Sequence, residues 1–519
     1  MRRSDRWLPA VICLAAGYAH ALSIGTPWNG EALWWLQLLA LAPLAAIVHR
    51  AATPRAAALY GWVFGFAWFA GTLWWLFISM YTYGGLAAPL AVLAVAGLAL
   101  VLALYYAIAC GVARALATSN PLIDAVVWAA VWTLAEIGRG LWFTGLPWGA
   151  AGYAHVDGPL AAFARWIGVY GIGAVAAFAA ALLAWLCTSV VRGRLRGSGA
   201  IASVAGLAAV GAMTWQLARV PQAADAGLPP LDVTLLQGNI PQDEKFQPGT
   251  GVQIALIWYA QQLAQARTPL VVAPETAIPV LPQQLPPGYW DKIRERFATG
   301  EQAALIGIPL GNMRDGYINA TLGLLPGRSE PYEYAKHHLV PFGEFIPPFF
   351  RWFTEMMDIP LGDFRRGAVG QVSMALGQQR LAPNICYEDL FGEELAARFA
   401  DPALAPTIFV NLSNIGWFGD SVAIDQHLSI SRMRALEFHR PMIRATNTGA
   451  TAIIDADGRV THALPRLTRG VLTGTVHGQQ DITPYASWAS RFGLMPLWLP
   501  ALAVVAAVAA LRFARRRRS

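Results

Sequence analysis

The chain has 519 residues, of which 56% are hydrophobic and only 13% charged. Soluble domains are usually about a quarter charged, so an ordinary soluble protein is excluded as the first reading. The formal net charge of +7 does not point to nucleic acid, because the arginines collect at the chain ends and in short loops between apolar runs.

A membrane-crossing helix needs ~20 mostly apolar residues. Seven such runs precede residue 220, at about Leu8–Leu22, Leu33–Val48, Ala58–Met80, Ala88–Val112, Leu122–Ala135, Trp166–Val191 and Ile201–Leu217, and an eighth covers Leu494–Leu511. The fifth is the weakest, because Asp124 and Glu136 flank it. With Arg2, Arg3 and Arg6 placed in the cytoplasm, Arg50, Arg55, Arg114, Arg192, Arg194, Arg196 and the tail Arg515–Arg518 all fall on that same side, as loop charge predicts. Arg139 and Arg165 are the exceptions. An odd number of spans then puts residues 220–490 outside the cytoplasm, and eight spans return the tail. Met1–Ala21 also reads as a cleavable signal peptide, with a basic start, an apolar centre and Ala19-His20-Ala21; cleavage would leave the placement of the large polar part unchanged.

Residues 228–478 change character. Short apolar runs bounded by turn residues predict strands at Asp232–Leu236, Leu270–Val272, Ala304–Ile308, Ile318–Leu324, Leu381–Cys386, Thr407–Leu412, Met442–Asn447 and Thr451–Asp455. Periodic stretches between them predict helices at about Gln253–Ala266, Trp290–Ala298, Glu393–Phe399 and Val422–His439. Strands alternating with helices indicate an α/β domain. The expected organisation is therefore seven spans in residues 1–219, an α/β domain in 228–478, and a C-terminal span with a basic tail in 490–519.

Three residues in the polar part carry candidate chemistry. Cys386 closes the run Leu381–Cys386, where a strand would present a nucleophile to a cleft; the bland reading is a buried structural thiol. Glu275, after Pro274, stands where a carboxylate could take the thiol proton, or could simply cap the next turn. Lys336 is one of three lysines among 38 Lys and Arg. Where Arg is the habitual cation, a Lys among apolar and aromatic neighbours suggests a compact charge kept for a purpose, against the bland reading of a solvated surface group. His337 and His338 offer a Cys/His dyad or simply loop residues. Cys386 is the polar part's one cysteine, the other three lying in apolar runs, and no CxxC or Cys/His metal spacing exists.

Together these positions resemble the Glu-Lys-Cys triad of the nitrilase superfamily, in the order Glu275, Lys336, Cys386. The surrounding phrases match too: Pro274-Glu-Thr276, Val340-Pro-Phe-Gly-Glu344, Ile385-Cys-Tyr-Glu388, Asn411 to Gly419, and Arg444 to Gly449. With spans before and one after, and with Gln237-Gly-Asn-Ile-Pro-Gln242, essentially the whole chain resembles the apolipoprotein N-acyltransferases, the membrane-embedded branch of that superfamily. One departure is Phe246, near a position where family members often carry Trp, which puts in doubt a specific lipid contact there.

The resemblance implies a bundle of eight transmembrane helices plus an extracytoplasmic αββα sandwich. It implies transfer of an acyl chain from a phospholipid, with phosphatidylethanolamine as the suggested donor, to the N-terminal amine of a diacylglyceryl-cysteine lipoprotein through a thioester on Cys386. Glu275 would act as base and acid, and Lys336 would stabilise the oxyanion. Glu344, Tyr387 and Glu388 would be accessory, with ordinary salt-bridge partners as the bland reading of the two carboxylates. A monomer in a bacterial inner membrane is implied, with both termini cytoplasmic, the catalytic domain periplasmic, and no cofactor or metal. The apolar segment Ile346–Met357, with Phe349, Phe350 and Trp352, and the pair Trp417-Phe418 read as lipid-facing arms or as core of the polar domain. Two other readings stay open: a membrane-tethered amidase that hydrolyses its acyl-enzyme, and a transporter, which would need ionisable residues inside the helices.

Overall fold

The computed structural model describes residues 7–194, 197–220, 227–347, 352 and 364–518. Phe349, Phe350 and most of the expected arm lie outside the described residues. The chain divides into two compact units: Met1–Leu76, Pro89–Gln222 and Phe492–Ser519 form one, Phe77–Ala88 and Ala223–Arg491 the other.

The first unit is helical. Its helices are Trp7–Ile24, Trp34–Arg50, Pro54–Thr72, Ala88–Leu116, Pro121–Leu141, Ala164–Val191, Ser198–Ala218 and Met495–Arg518. Among the described residues six helices are long and apolar enough to cross a membrane, or seven if the broken run Pro54–Thr72 plus Leu76–Tyr83 is one span. The 17 residues of Trp34–Arg50 would reach only about 26 Å at 1.5 Å per residue, a little short of a ~30 Å hydrocarbon core. Helices approach closely where side chains are smallest. A Cβ on Gly17 would lie 2.2 Å from the Phe64 carbonyl oxygen, so glycine is required at that crossing.

The expected fifth span is corrected at its C-terminal end. It runs on to Leu141, so Glu136 and Arg139 lie inside the helix and are buried rather than flanking it. Both are tied to protein groups. Glu136 accepts from the Tyr106 hydroxyl at 3.1 Å and from the Ala151 N–H at 3.2 Å. Arg139 donates to the Leu146 and Trp148 carbonyls and lies 5.1 Å from the Phe69 ring centre. They pin the short turns after the helix to its wall, which also explains why Arg139 broke the loop-charge pattern.

The second unit is built on two six-stranded sheets. The strands are β1 (Leu231–Gln237), β2 (Leu270–Ala273), β3 (Ala303–Asn312), β4 (Gly316–Leu324), β5 (Tyr332–Ala335), β6 (Met374–Leu376), β7 (Gln379–Ile385), β8 (Ile408–Ser413), β9 (Met442–Thr446), β10 (Ala452–Ile454), β11 (Val460–Ala463) and β12 (Gly470–Val476). The orders are β12-β1-β2-β3-β4-β5 and β11-β10-β9-β8-β7-β6, with β1-β2-β3 and β7-β8-β9 parallel.

Strand alternation builds the layers. Val233, Leu270, Val272 and Leu305 of the first sheet meet Leu381, Val410, Leu412 and Ile443 of the second in one core. Alternate residues Val271, Ala273 and Ile306 face outward and are covered by Leu256, Tyr259, Leu263 and Phe297 of helices Gly251–Gln265 and Tyr289–Thr299. On the far side Phe409 and Met442 pack under Phe438 and Ala435 of helix Ala423–Phe438 and Tyr485 of helix Pro484–Phe492. The result is the expected αββα sandwich. The expected end at 478 falls short, because Pro484–Phe492 packs on this core.

Candidate active site

Glu275 and Cys386 follow the C-terminal ends of the interior parallel strands β2 and β7, where the crevice of a parallel sheet lies, and Lys336 follows the edge strand β5. Cys386 is not the last residue of a strand, as expected, but the first beyond β7. It adopts φ +53° and opens the turn Cys386–Leu390. Such a left-handed residue holds its side chain at a sharp strand-to-turn corner, a conformation kept when the surroundings enforce it. Two side chains hold its carbonyl and the turn. Asn411 Nδ2 and His427 Nε2 lie 3.3 and 3.2 Å from the Cys386 oxygen, and His427 also contacts Asp389 at 2.9 Å.

Glu275 follows β2 by two residues and is 7% exposed. One carboxylate oxygen accepts from Asn319 Nδ2 at 2.7 Å and from Lys336 Nζ at 3.3 Å; the other accepts from the Asn414 N–H at 2.9 Å. The Glu275 backbone passes directly over β3. A Cβ on Gly307 would stand 2.2 Å from the Pro274 oxygen and 2.7 Å from the Glu275 Cα, so only glycine leaves room for the carboxylate there.

Lys336 extends β5 by one residue and is 1% exposed. Its N–H donates to the Asn319 oxygen at 2.8 Å, which makes the two side chains cross-strand neighbours. Its ammonium reaches the Glu344 carboxylate at 2.9 Å as well as Glu275. Burial opposes the charge, but the two carboxylates outweigh it and hold the ammonium well above the usual lysine range. Glu344 returns to this point because residues 340–344 curl into a turn, with the Val340 N–H donating to its carboxylate at 2.8 Å.

The same environment acts oppositely on the thiol. Burial, then the Glu275 carboxylate, push Cys386 up to about 12, against the pull of Lys336. A thiol held protonated at rest beside a carboxylate is arranged to lose its proton as it attacks, not before.

Of the accessory residues, Glu344 joins the charged cluster. Glu388 does not reach Lys336 through a hydrogen bond; it locks two loops together. Its oxygens accept from the His337, His338 and Ile385 N–H groups at 2.6, 3.2 and 2.6 Å and from the Tyr334 hydroxyl at 2.8 Å. The loop carrying Lys336 is thereby fixed to the strand end before Cys386. Tyr387 is buried against His338 and Phe391, at 5.7 and 5.3 Å between ring centres. His338 stacks on Phe391 and contacts Glu394 at 2.9 Å, which ties it into the packing of this loop.

Trp352 is 60% exposed. Trp417 is half-buried, with its ring 5.9 Å from Tyr83 and 6.5 Å from Phe246. Phe418 stands beside it in the turn Ile415–Phe418 and is likewise half-buried.

Residues 14–182 match the apolipoprotein N-acyltransferase N-terminal domain, and residues 232–484 match the carbon-nitrogen hydrolase family. The apolipoprotein N-acyltransferase of Verminephrobacter eiseniae is 58% identical over 93% of this chain and 92% of its own. The chain belongs to the apolipoprotein N-acyltransferase family. Relatives of the same name are 45% identical in Ralstonia nicotianae, over 94% of this chain and 90% of theirs, and 42% identical in Bordetella bronchiseptica, over 98% of both.

Within this family member, several site groups were not singled out from the sequence. Asn319 feeds both carboxylates, with its second bond to Glu344 at 2.7 Å. Lys245 is buried beneath Glu275 and donates to its backbone oxygen at 3.1 Å; burial lowers it to about 7, against the pull of Glu275 and Cys386. The motif phrases around Asn239, Asn414 and Asn447 form one amide lattice. Asn447 bridges the Ile240 backbone and Asn414, and Asn414 donates to Gln242. That lattice presents the Asn414 N–H to Glu275.

Proposed function

We propose that this protein transfers an acyl chain from a membrane phospholipid to the N-terminal amine of a diacylglyceryl-cysteine lipoprotein, by way of a thioester on Cys386. The observation that carries the reading is a cysteine in left-handed backbone at a strand end, its thiol pushed up by burial and by the Glu275 carboxylate, with that carboxylate hydrogen-bonded to a buried ammonium. It lies in a chain whose relatives over nearly full length are named apolipoprotein N-acyltransferase.

Glu275 takes the thiol proton as Cys386 Sγ bonds to the ester carbonyl carbon. Lys336, with the backbone N–H after Cys386, stabilises the oxyanion. The ester C–O bond breaks, and Glu275 returns the proton to the departing lysophospholipid oxygen. In the second half the lipoprotein amine attacks the thioester carbonyl, the C–S bond breaks, and the surplus amine proton passes through Glu275 back to sulfur. Two substrates alternating at one covalent site predict ping-pong kinetics. Glu344 keeps Lys336 charged, and Tyr387 and Glu388 fix the turn around the nucleophile.

Membrane placement is part of the same reading. Moving an acyl chain into water costs ~0.8 kcal/mol per CH₂, so both substrates must be met at the bilayer. Eight spans, cytoplasmic termini and a periplasmic catalytic domain in an inner membrane are supported by the arginine pattern. Trp352, Trp417 and Phe418, with Phe349 and Phe350, would contact lipid chains; exposed Trp352 and the aromatic row Tyr83–Trp417–Phe246 favour this. A monomer and a phosphatidylethanolamine donor complete the proposal.

Intact-protein mass spectrometry on the full chain mixed with phospholipid tests it. An added acyl mass, absent from Cys386→Ala and discharged by a lipopeptide with a free N-terminal amine, is expected. Discharge by water alone would favour an amidase, and active protein without any adduct would refute the covalent route.

A further inference from the structure

A second site lies in the helical unit. A cavity of about 450 Å³ opens between the ends of helices Trp34–Arg50, Ala88–Leu116, Pro121–Leu141 and Ala164–Val191. That volume is within the roughly 300–1,000 Å³ of small-molecule sites. Its walls divide by chemistry. Ala45, Ala113, Ala181, Ala184, Trp128 and Trp185 make an apolar slot, and Arg50 and Arg192 stand at the cationic end.

The charges at this end can be followed one by one. Asp124 lies in the wall, but His49 faces it at 3.3 Å, and the Thr118 N–H and hydroxyl bond to it at 2.6 and 2.8 Å. The His49 ring also packs on Trp185, 4.8 Å between centres. Three of the four helices end here by their C-termini, and such ends repel anions. Arg114 and Arg512 are already taken up by the carbonyls of those ends. Arg114 donates to Ala51, and Arg512 to Ala115 and Ala117. Arg50 uses one N–H on the Thr188 hydroxyl at 2.8 Å, and Arg192 has no side-chain hydrogen bond or ion pair among the described residues. Four arginines therefore stand against one carboxylate at this end, and Arg50 and Arg192 keep N–H donors to spare. Their forked N–H geometry suits a phosphate.

We propose that this cavity binds the head of an anionic phospholipid, with Arg50 and Arg192 on its phosphate and the alanine-tryptophan slot taking the start of an acyl chain. Basic pockets between transmembrane helices recognise such heads for the same reason. A free phosphate would leave the apolar slot uncovered, and a zwitterionic lipid would answer only part of the arginine charge. The site is separate from Cys386, and its occupant is a resident lipid rather than an acyl donor.

Native mass spectrometry on the full chain, mixed with phosphatidylglycerol or phosphatidylcholine, tests the assignment. One retained phosphatidylglycerol per chain is expected, with a preference over phosphatidylcholine of roughly thirtyfold, the effect of two arginines near a charged head. Arg50→Ala with Arg192→Ala should bring the preference within about twofold, while Arg50→Lys with Arg192→Lys keeps part of it. Ala184→Trp fills the slot and should expel the lipid with both arginines intact. Thioester formation on Cys386 serves as the folding control, so a failed lipid site and a failed acyl-transfer reading are distinguishable. Equal retention in the double alanine variant, no headgroup preference in the parent, or full displacement of the lipid by inorganic phosphate would each overturn the proposal.

Discussion

Replacing Asn319 with Leu separates the charges of the site from their scaffold. The Asn319 amide donates 2.7 Å bonds to both Glu275 and Glu344, while its backbone oxygen holds the Lys336 N–H. Leu keeps the backbone bond and much of the volume but removes both side-chain donors. A hydrogen bond to a buried charge is worth about 1.5–3 kcal/mol, so about 3–6 kcal/mol of favourable interaction disappears. The Glu344 share falls on stability, because Glu344 keeps Lys336 and the Val340 N–H. The Glu275 share falls on the reaction, because Glu275 must sit within reach of the thiol proton. If that bond is lost from the transition state, thioester formation slows roughly ten- to 150-fold. Rapid quench with intact-mass detection, at saturating phospholipid, measures the step directly. Asn319→Asp should be worse than Leu, since it adds a third carboxylate. A thioester rate within twofold of the parent in folded Asn319→Leu protein would refute the idea that this amide positions Glu275.

Three further outcomes are expected. Lys245 is lowered to about 7 when folded, from an unfolded value of ~10.4. Between these values the unfolded chain binds the extra proton, so this group makes stability rise with pH. Lys245→Met should flatten that rise in melting temperatures measured between about pH 7 and 8, where an unfolded thiol (~8.5) is still mostly protonated and Cys386 contributes little, and an unchanged slope would exclude a buried, readily deprotonated Lys245. Glu388→Gln sets an amide donor against N–H groups that now meet a carboxylate. It should lower the melting temperature and slow thioester formation together, by roughly tenfold or more for one lost charge-assisted bond. Gly307→Ala forces the Pro274–Glu275 backbone away. It should cut thioester formation more than Asn319→Leu does, and normal activity in this variant would show that the turn tolerates displacement.

The legible and illegible parts of this chain divide along physical lines. The eight expected strands are all interior to their sheets, and the four that escaped detection, β5, β6, β11 and β12, are the four sheet edges. Interior strands are buried on both faces and read as continuous apolar runs. An edge such as Val460–Ala463 is exposed throughout, and Gly470–Val476 is buried only at intervals, so neither carries that signal. The candidate triad was legible because its residues are chemically unusual where they stand. The rarity of lysine that singled out Lys336 applied equally to Lys245, but Lys245 lies in a turn-rich stretch whose burial depends on the Glu275 carbonyl, 30 residues away. Asn319 is an ordinary strand amide until β5 brings Lys336 beside it. Glu136 misled for the same reason in reverse. A carboxylate beside an apolar run reads as its end, yet the helix continues because Tyr106 and Ala151, distant in sequence, satisfy the charge from the side. Residue type thus marks where reactive groups stand, while the groups that set their charge and position become readable only when distant segments are brought together.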